Sequence, residues 1–405
     1  MNILLVTEPY PPQIRAISFM MKELAEELHI RGYEVTVITS WPAHNIAENT
    51  DISFGTVSVE NGVTVIRVKA LPQYKYGYLF RGISQLTLHY FYYRKVINHI
   101  KGRIDFVIVY SPPLPLVLLG RKIKKIYGAK FLLNIQDVFP QNAIDLGIIK
   151  NKILINFYSW VEKKGYSSAD KITSHTDNSR NFLIREKGIP PEKILSVYNW
   201  IDIDRASNIK QTGGFREKYG LKNKFILLFA GVMGPSQNLD FVIQVAVNIS
   251  SIQDICFLLV GGGTEKKKLQ RMVEEYKLQN VRFLPFMSNA EYSSLVKEVD
   301  VGFACLSMKN RTPVIPGKIL SFMAASIPVI AFLNKESDGH ILIREAKCGY
   351  SILSDNEKDA AGLVAKVYNE KEQLSQYGKN GYQYVVDNFS KEKCISKLEK
   401  VLQEM

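Results

Sequence analysis

The chain has 405 residues, 46% of them hydrophobic and 22% charged, with a formal net charge of +13. That length exceeds one ordinary core and predicts two domains, and the composition is globular, which excludes a disordered chain. The charge excess is local: Arg67 to Lys130 carry 13 Lys/Arg against the single acid Asp105, a window suited to nucleic acid, an anionic membrane surface or an anionic substrate.

No RNA-binding or helix-turn-helix signature accompanies that window, so nucleic acid is not expected as a partner. Cys256, Cys305, Cys348 and Cys394 are widely spaced in apolar or helical contexts and form neither a disulfide framework nor a metal motif, which fits a reducing cytoplasm. The six histidines show no H-x-x-x-H pairing, and no metal site is expected. The first residues, MNILLVTEPY, run straight into a strand, without the basic and apolar regions of a signal peptide. No apolar run reaches the roughly 18 residues of a membrane span; the stretch from Phe106 to Gly120 is interrupted by Pro112, Pro113 and Pro115.

In chain order, Asn2–Thr7 reads as a buried strand, followed by the loop Glu8 to Gln13 and a helix over Ile17–Ile30 that ends at Arg31-Gly32. Strands at Glu34–Thr39 and Val63–Val68 precede a long helix at Leu79–Ile100. Then come a strand at Phe106–Tyr110, a helix at Leu116–Tyr127 and a strand at Lys130–Ile135. A helix at Ile153–Tyr166, a strand at Lys171–Ser174, a helix after Asp177 and a strand at Leu195–Tyr198 complete the first half. Asn199 to Asp202 reads as a hinge, and Asp204–Leu221, with Thr212-Gly213-Gly214, as an exposed connector. The second half repeats the alternation, with strands at Phe225–Ala230, Ile255–Val260, Val281–Leu284, Val301–Ala304 and Val329–Phe332. Its helices fall near Leu239–Ile249, Glu265–Tyr276, Asn289–Glu298 and Lys318–Ala325, and the chain from Lys358 on is nearly all helical. Alternating buried strands and helices predict two doubly wound parallel sheets, which bind ligands beyond the carboxyl ends of their strands.

That rule singles out Asp137, which follows the strand at Lys130–Ile135 in the run Asn134-Ile135-Gln136-Asp137-Val138-Phe139-Pro140. It suits an acid/base or acceptor-orienting role, or an Asx cap of the following turn. The triple glycine Gly261-Gly262-Gly263 lies between a strand and a helix, where backbone can approach a ligand or a tight turn needs glycine. Pro316-Gly317 opens a short helix with Lys318 at its positive end. A lysine there is poorly placed for the helix dipole; it fits an anion such as a diphosphate docking at that end, or a solvated turn.

The stretch Lys318 to Ala331, K-x-x-x-x-M-A-A-x-x-P-V-I-A, resembles the nucleotide-sugar site of retaining family-four glycosyltransferases. More narrowly it resembles bacterial transferases of amino-deoxysugars, such as the N-acetylfucosamine transferases of O-antigen and capsule synthesis. The resemblance covers essentially the whole chain. It implies an α/β GT-B architecture: two Rossmann-like doubly wound domains (1–200 on the acceptor and membrane side, 201–384 for the nucleotide sugar) facing a central cleft. A helical C-terminal tail, 385–405, is expected to cross back to the first domain. It implies transfer, without a metal cofactor, from a UDP-sugar donor to an undecaprenyl-diphosphate-linked saccharide, by a cytoplasmic protein held on the inner face of the membrane. Asp137 and Lys318 take the catalytic roles. Substrate contacts are implied for Gln13, Arg15, Gln136, Gly231, Met233, Gly234, Gln237, Gly262, Gly263, Arg311, Gly317 and Ser321.

The chain departs from the family at three places. The loop after Gly231 carries Pro235, Ser236 and Gln237 where relatives carry a cation. The family's pair of glutamates falls on Pro313 and Ser321. The glycine pair of the first loop is replaced by Arg15-Ala16, and Arg15 either restores a cation near the phosphates or is an exposed loop arginine. A degenerate GT-B binding subunit and a GT-B nucleotide-sugar epimerase therefore stand as alternatives. In the helix Leu79–Ile100, Leu79, Ile83, Leu86, Tyr90, Tyr93, Ile97 and Ile100 form the expected core stripe. Arg81, Leu88, Phe91, Lys95 and His99 lie opposite, and Arg81, Leu88, Phe91 and Lys95 form the expected membrane-docking face, unless Leu88 and Phe91 pack on a neighbouring loop.

Overall fold

The computed structural model describes residues 1–13, 15–42, 46, 55–71, 77–203, 214–287 and 289–405, with backbone alone at 77–83, 289 and 290. The connector expected at 204–221 lies outside the described residues up to 213. Contacts divide the chain into two compact units: Met1–Asn199 with Glu392–Met405, and Trp200–Lys391.

The first unit is built on an eight-stranded sheet of β1 (Asn2–Val6), β2 (Glu34–Ser40), β3 (Val57–Glu60), β4 (Val63–Val68), β5 (Phe106–Ser111), β6 (Lys130–Ile135), β7 (Lys171–Ser174) and β8 (Ile194–Ser196). Its spatial order is β3-β4-β2-β1-β5-β6-β7-β8. Among the described residues only the β3–β4 pair of this sheet is antiparallel. The central strands are apolar at nearly every position because helices cover both faces of a parallel sheet. These helices are α1 (Ala16–Ile30), α2 (Gly77–His99), α3 (Leu116–Tyr127), α4 (Gln141–Asp145), α5 (Lys152–Ser168) and α6 (Asp177–Lys187). The terminal residues join this unit through Arg31, whose guanidinium donates to Glu399 at 2.6 Å and to the Ser396 hydroxyl at 3.0 Å.

Helix α2 corrects the docking face expected from the sequence. Its buried stripe is Ser84, Leu88, Tyr92 and Val96, spaced by four. Leu88 is fully buried in the core and Phe91 packs against it, whereas Tyr90 and Ile97 are exposed. Lys95 is half-buried, and the side chains of Leu79, Arg81 and Ile83 lie outside the described set. The phase is fixed by Tyr92, whose hydroxyl donates to the Thr7 carbonyl at 3.1 Å and meets the Ser40 hydroxyl at 2.9 Å. A buried tyrosine must place its hydroxyl on a polar partner, and that requirement turns Leu88 inward with it. Leu88→Ala is therefore expected to destabilise the protein by about 2–5 kcal/mol in urea unfolding, as a core truncation and not a surface change. The basic window is also partly neutralised by acids, two of them outside it: Arg67, buried, pairs with Glu60, and Lys124 with Asp170 at 2.7 Å, while Arg103 pairs with Asp105.

The second unit carries a parallel six-stranded sheet, order β11-β10-β9-β12-β13-β14. Its strands are β9 (Phe225–Val232), β10 (Ile255–Gly262), β11 (Val281–Leu284), β12 (Val301–Cys305), β13 (Val329–Leu333) and β14 (Gly349–Leu353). Its longer helices are α7 (Leu239–Asn248), α8 (Lys266–Glu275), α9 (Asn289–Lys297), α10 (Gly317–Ala324), α11 (Gly339–Ala346), α12 (Glu357–Asn369), α13 (Leu374–Asn388) and α14 (Lys391–Gln403), the last passing into the first unit at Glu392. The chain winds outward from β9 through β11, then returns to β12 and winds the other way. β9 and β12 thus flank a topological switch point, the place where open α/β sheets leave a crevice for ligands.

Candidate active site

At that switch point the loop after β9 and the loop after β12 are tied together. The Ser307 N–H donates to the Ser236 carbonyl at 2.9 Å and the Asn310 amide reaches the same oxygen at 3.4 Å. Asn334 holds the Asn310 carbonyl at 2.9 Å and the Ser337 hydroxyl holds that of Val314 at 2.8 Å, so buried polar side chains fix the segment leading into α10. Lys318, in the first turn of α10, lies against the end of β9: a Cβ placed on Gly231 would sit 3.2 Å from its Nζ. The amine stands over the Phe229 ring at 4.7 Å, and no described residue gives it an ion pair or hydrogen bond. Burial draws its pKa down to about 8. A half-buried ammonium without an anion is costly to keep charged, and a bound diphosphate would relieve that cost.

The other residues singled out on this unit divide into two groups. Gly317 is exposed beside Lys318, and Arg311 is exposed on the preceding loop. By contrast, Met233 is buried in the core, and its backbone is occupied: its N–H donates to the Gly262 carbonyl at 2.8 Å and its own carbonyl accepts from Glu265 at 3.1 Å. The Gln237 side chain accepts from the Gly234 N–H at 3.1 Å, which stiffens the loop after β9. The Ser321 hydroxyl donates back to the Gly317 carbonyl at 3.1 Å, and Pro313 is buried. Of the triple glycine, Gly261 and Gly263 serve close backbone packing, since added Cβ atoms would lie 2.1 Å and 2.3 Å from the carbonyl oxygens of Gly231 and Met233. Gly262 instead faces Phe286, an exposed ring just past β11 that the sequence reading did not single out. An aromatic residue past a strand end was the available signal.

On the first unit, the carboxyl ends of β1, β5 and β6 gather Glu8, Arg15, Tyr110 and Asp137. Arg15 does not stand free: its guanidinium pairs with Glu8 at 3.1 Å, and Glu8 is buried. Burial pushes the Tyr110 hydroxyl far up, with further rise from Asp137 and Glu8 and opposition from Arg15. Asp137 is open to solvent, yet crowding around its loop raises its carboxyl pKa against the pull of Arg15. The exposure limits how far that desolvation acts, while the direction favours a carboxylate that accepts protons. Gln136 is a strut: its amide donates to Asn134 at 2.7 Å and its oxygen accepts from Asn199 at 2.6 Å. Gln13 is buried with its side-chain oxygen unpaired. His175, past the end of β7, is buried and drawn down to about 4 by desolvation, opposed by a backbone hydrogen bond at Ile135. The strand-end rule that selects Asp137 also applies to His175.

Among the described residues no group of three or more His, Cys, Asp or Glu is placed to hold a metal ion, and no helix is long and apolar enough to cross a membrane. Residues 17–205 match the Glycosyltransferase Family 4 profile, and residues 213–384 match Glycosyl transferases group 1. The chain is 25% identical to a putative colanic acid biosynthesis glycosyl transferase, WcaI, of Escherichia coli K12, over 80% of this chain and 81% of that protein. It is 22% identical to the UDP-Gal:alpha-D-GlcNAc-diphosphoundecaprenol alpha-1,3-galactosyltransferase of Escherichia coli, over 75% and 76%. Anabaena Alr3699/HepE, solved with UDP and glucose, superposes over 100% of both chains with a TM-score of 0.72 at 15% identity. With two family matches spanning residues 17 to 384 on a two-domain parallel α/β fold, this chain is a GT-B glycosyltransferase of the group 1/family 4 type.

Proposed function

We propose that the chain moves an amino-deoxyhexose from a UDP-linked donor to an undecaprenyl-diphosphate-linked saccharide, with retention of configuration and no metal cofactor. The pathway is bacterial surface polysaccharide assembly at the inner face of the cytoplasmic membrane. The observation that carries the donor assignment is Lys318, an unpaired, half-buried cation at the β9/β12 switch point. The UDP in Alr3699/HepE and the undecaprenol-linked acceptor named for the Escherichia coli galactosyltransferase support the substrate classes. The resemblance of Lys318 to Ala331 supports the amino-deoxysugar. In the transfer, the bond from the anomeric carbon to the diphosphate oxygen breaks and UDP leaves with the electron pair. The acceptor oxygen bonds to that carbon, and Asp137 orients the hydroxyl and receives its proton. Lys318 and the first N–H groups of α10 meet the charge that develops on the diphosphate.

Mass spectrometry of products from a panel of UDP-sugars and a short undecaprenyl-diphosphate saccharide tests this reading. A product heavier by one amino-deoxyhexose is expected, and release of UDP without any glycosylated product would count against it. Asp137→Asn is expected to lower kcat about 100-fold while UDP affinity by calorimetry stays within about twofold; loss of UDP binding would move Asp137 off the acceptor side. A second reading, a binding subunit without turnover, is favoured by Pro313 and Ser321 standing where the family carries acids. It predicts UDP binding with no product from any donor.

A further inference from the structure

Helix α5 buries Tyr158, Val161, Glu162, Gly165 and Tyr166. At about 100° per residue the opposite side centres on Ile153, Asn156, Phe157, Trp160 and Lys163, and a surface helix is polar there. In this protein it is not. Ile153 is 78% exposed, Trp160 50%, Leu154 44% and Phe157 38%, and Ile148 just before the helix is 54% exposed. Ile153, Phe157 and Trp160 recur at spacings of four and three along that side, with the Phe157 and Trp160 ring centroids 6.3 Å apart. Singly scattered apolar residues are ordinary on a soluble surface, whereas a contiguous apolar patch marks a contact.

The charges around the patch say what it contacts. Lys150, Lys152 and Lys163 are exposed at its edges, and the Lys164 amine lies 6.0 Å from the Trp160 ring. Between residues 146 and 164 the one acid, Glu162, is on the buried side and paired with Lys187 at 3.2 Å. Helix α3, which packs against α5, adds exposed Arg121, Lys122 and Lys125. These line, with Tyr90 and Tyr93, a groove of about 330 Å³ between α2 and α3 on the same helical layer. A second copy of the chain would bring these lysines against themselves, which like charges oppose. Apolar and aromatic groups fringed by cations suit the headgroup boundary of an anionic bilayer.

We propose that the outer face of α5 docks on an anionic phospholipid bilayer, with Ile153, Phe157 and Trp160 at the acyl boundary and the lysines on lipid phosphates. The docking stands on α5 and the cations around it; its link to acceptor delivery rests on the function proposed above. Phe139, two residues after Asp137, meets Tyr158 of α5 edge-on at 4.9 Å, so the docking helix and the acceptor loop are packed together.

The test uses the full chain and vesicles of equal parts phosphatidylglycerol and phosphatidylethanolamine, with phosphatidylcholine vesicles for comparison. Binding is expected to the anionic vesicles, with tryptophan fluorescence quenched by brominated lipid and the quenching largely lost in Trp160→Phe. The double change Phe157→Glu with Trp160→Glu is expected to lower the partition coefficient about tenfold or more, and Lys150→Glu with Lys152→Glu by about tenfold. Circular dichroism and unchanged transfer to a short water-soluble acceptor establish that the variants are folded. Equal binding by the Phe157/Trp160 variant, equal binding to neutral vesicles, or concentration-dependent dimerisation abolished by that variant without vesicle binding would each overturn the proposal. Absence of transfer from every donor would sink the enzymatic reading and leave the vesicle result standing.

Discussion

Replacing Lys318 by alanine is expected to lower kcat/KM about 10- to 100-fold, the range of one charge-assisted contact to a developing anion. The amine occupies the β9/β12 switch point, stands over Phe229 and has its pKa drawn down from the ordinary 10.5 to about 8 by burial alone. The sign of its pH dependence separates a ligand-binding lysine from a structural one. Without ligand, the folded protein holds fewer protons than the unfolded chain between pH 8 and 10.5, so stability contributed by this group rises with pH across that window. A diphosphate reverses the preference by stabilising the ammonium. UDP affinity is therefore expected to be greatest below about pH 8 and to fall above it, with a proton taken up on binding. Calorimetry in two buffers of different ionisation enthalpy measures that proton directly. Lys318→Met should abolish the uptake and stabilise the protein without ligand near pH 7, while Lys318→Arg should retain binding and lose the pH dependence above 8. A methionine variant that binds UDP as the parent does would remove Lys318 from the donor site.

The alternation of buried strands and helices was legible because parallel strands covered on both faces must be apolar at nearly every position. Short edge elements were not: β3, with alternating exposure, and β14, half-buried throughout, lack that signal. In α2, apolar and aromatic residues surround the axis, so spacing alone could not show that Tyr92 and Leu88, not Tyr90, face the sheet; two hydrogen bonds from one hydroxyl decide it. Helix α5 carries two apolar stripes, one buried and one exposed, and the sequence does not say which one the sheet takes. Strand-end position singles out Asp137 as a candidate, and the helix start singles out Lys318. The Glu8–Arg15 pair depends on how a loop folds back over seven positions, which no spacing rule specifies. The resemblance implies substrate contacts for Gln136 and Met233, but their polar groups bond to Asn134, Asn199, Gly262 and Glu265.

Gly261→Ala is expected to destabilise the protein by about 2–5 kcal/mol, whereas Gly262→Ala, one residue on, should cost less than about 1 kcal/mol. The contrast follows from backbone geometry within one glycine run. Gly261 has φ +131°, which L side chains rarely adopt, and its Cβ would lie 2.1 Å from the Gly231 carbonyl oxygen, its partner in the β9–β10 register. The obstacle is backbone of a central strand, so it cannot rotate away. Relief would part β9 from β10 and strain the Met233 N–H bond to the Gly262 carbonyl, now 2.8 Å. Positive-φ strain of roughly 1–2 kcal/mol and overpacking of roughly 1–3 kcal/mol act together there, against a total stability of about 5–15 kcal/mol. At Gly262 φ is not positive, and the nearest obstacle is the Phe286 ring edge at 3.1 Å. That ring is exposed and can swing aside. Urea midpoints for the two variants, with CD to confirm the fold, decide the matter. Equal losses would show that the run is not there for the β9–β10 approach. The predicted inequality, joined to weakened UDP binding in a folded Gly262→Ala variant, would place Phe286 and the Gly262 backbone on the donor face.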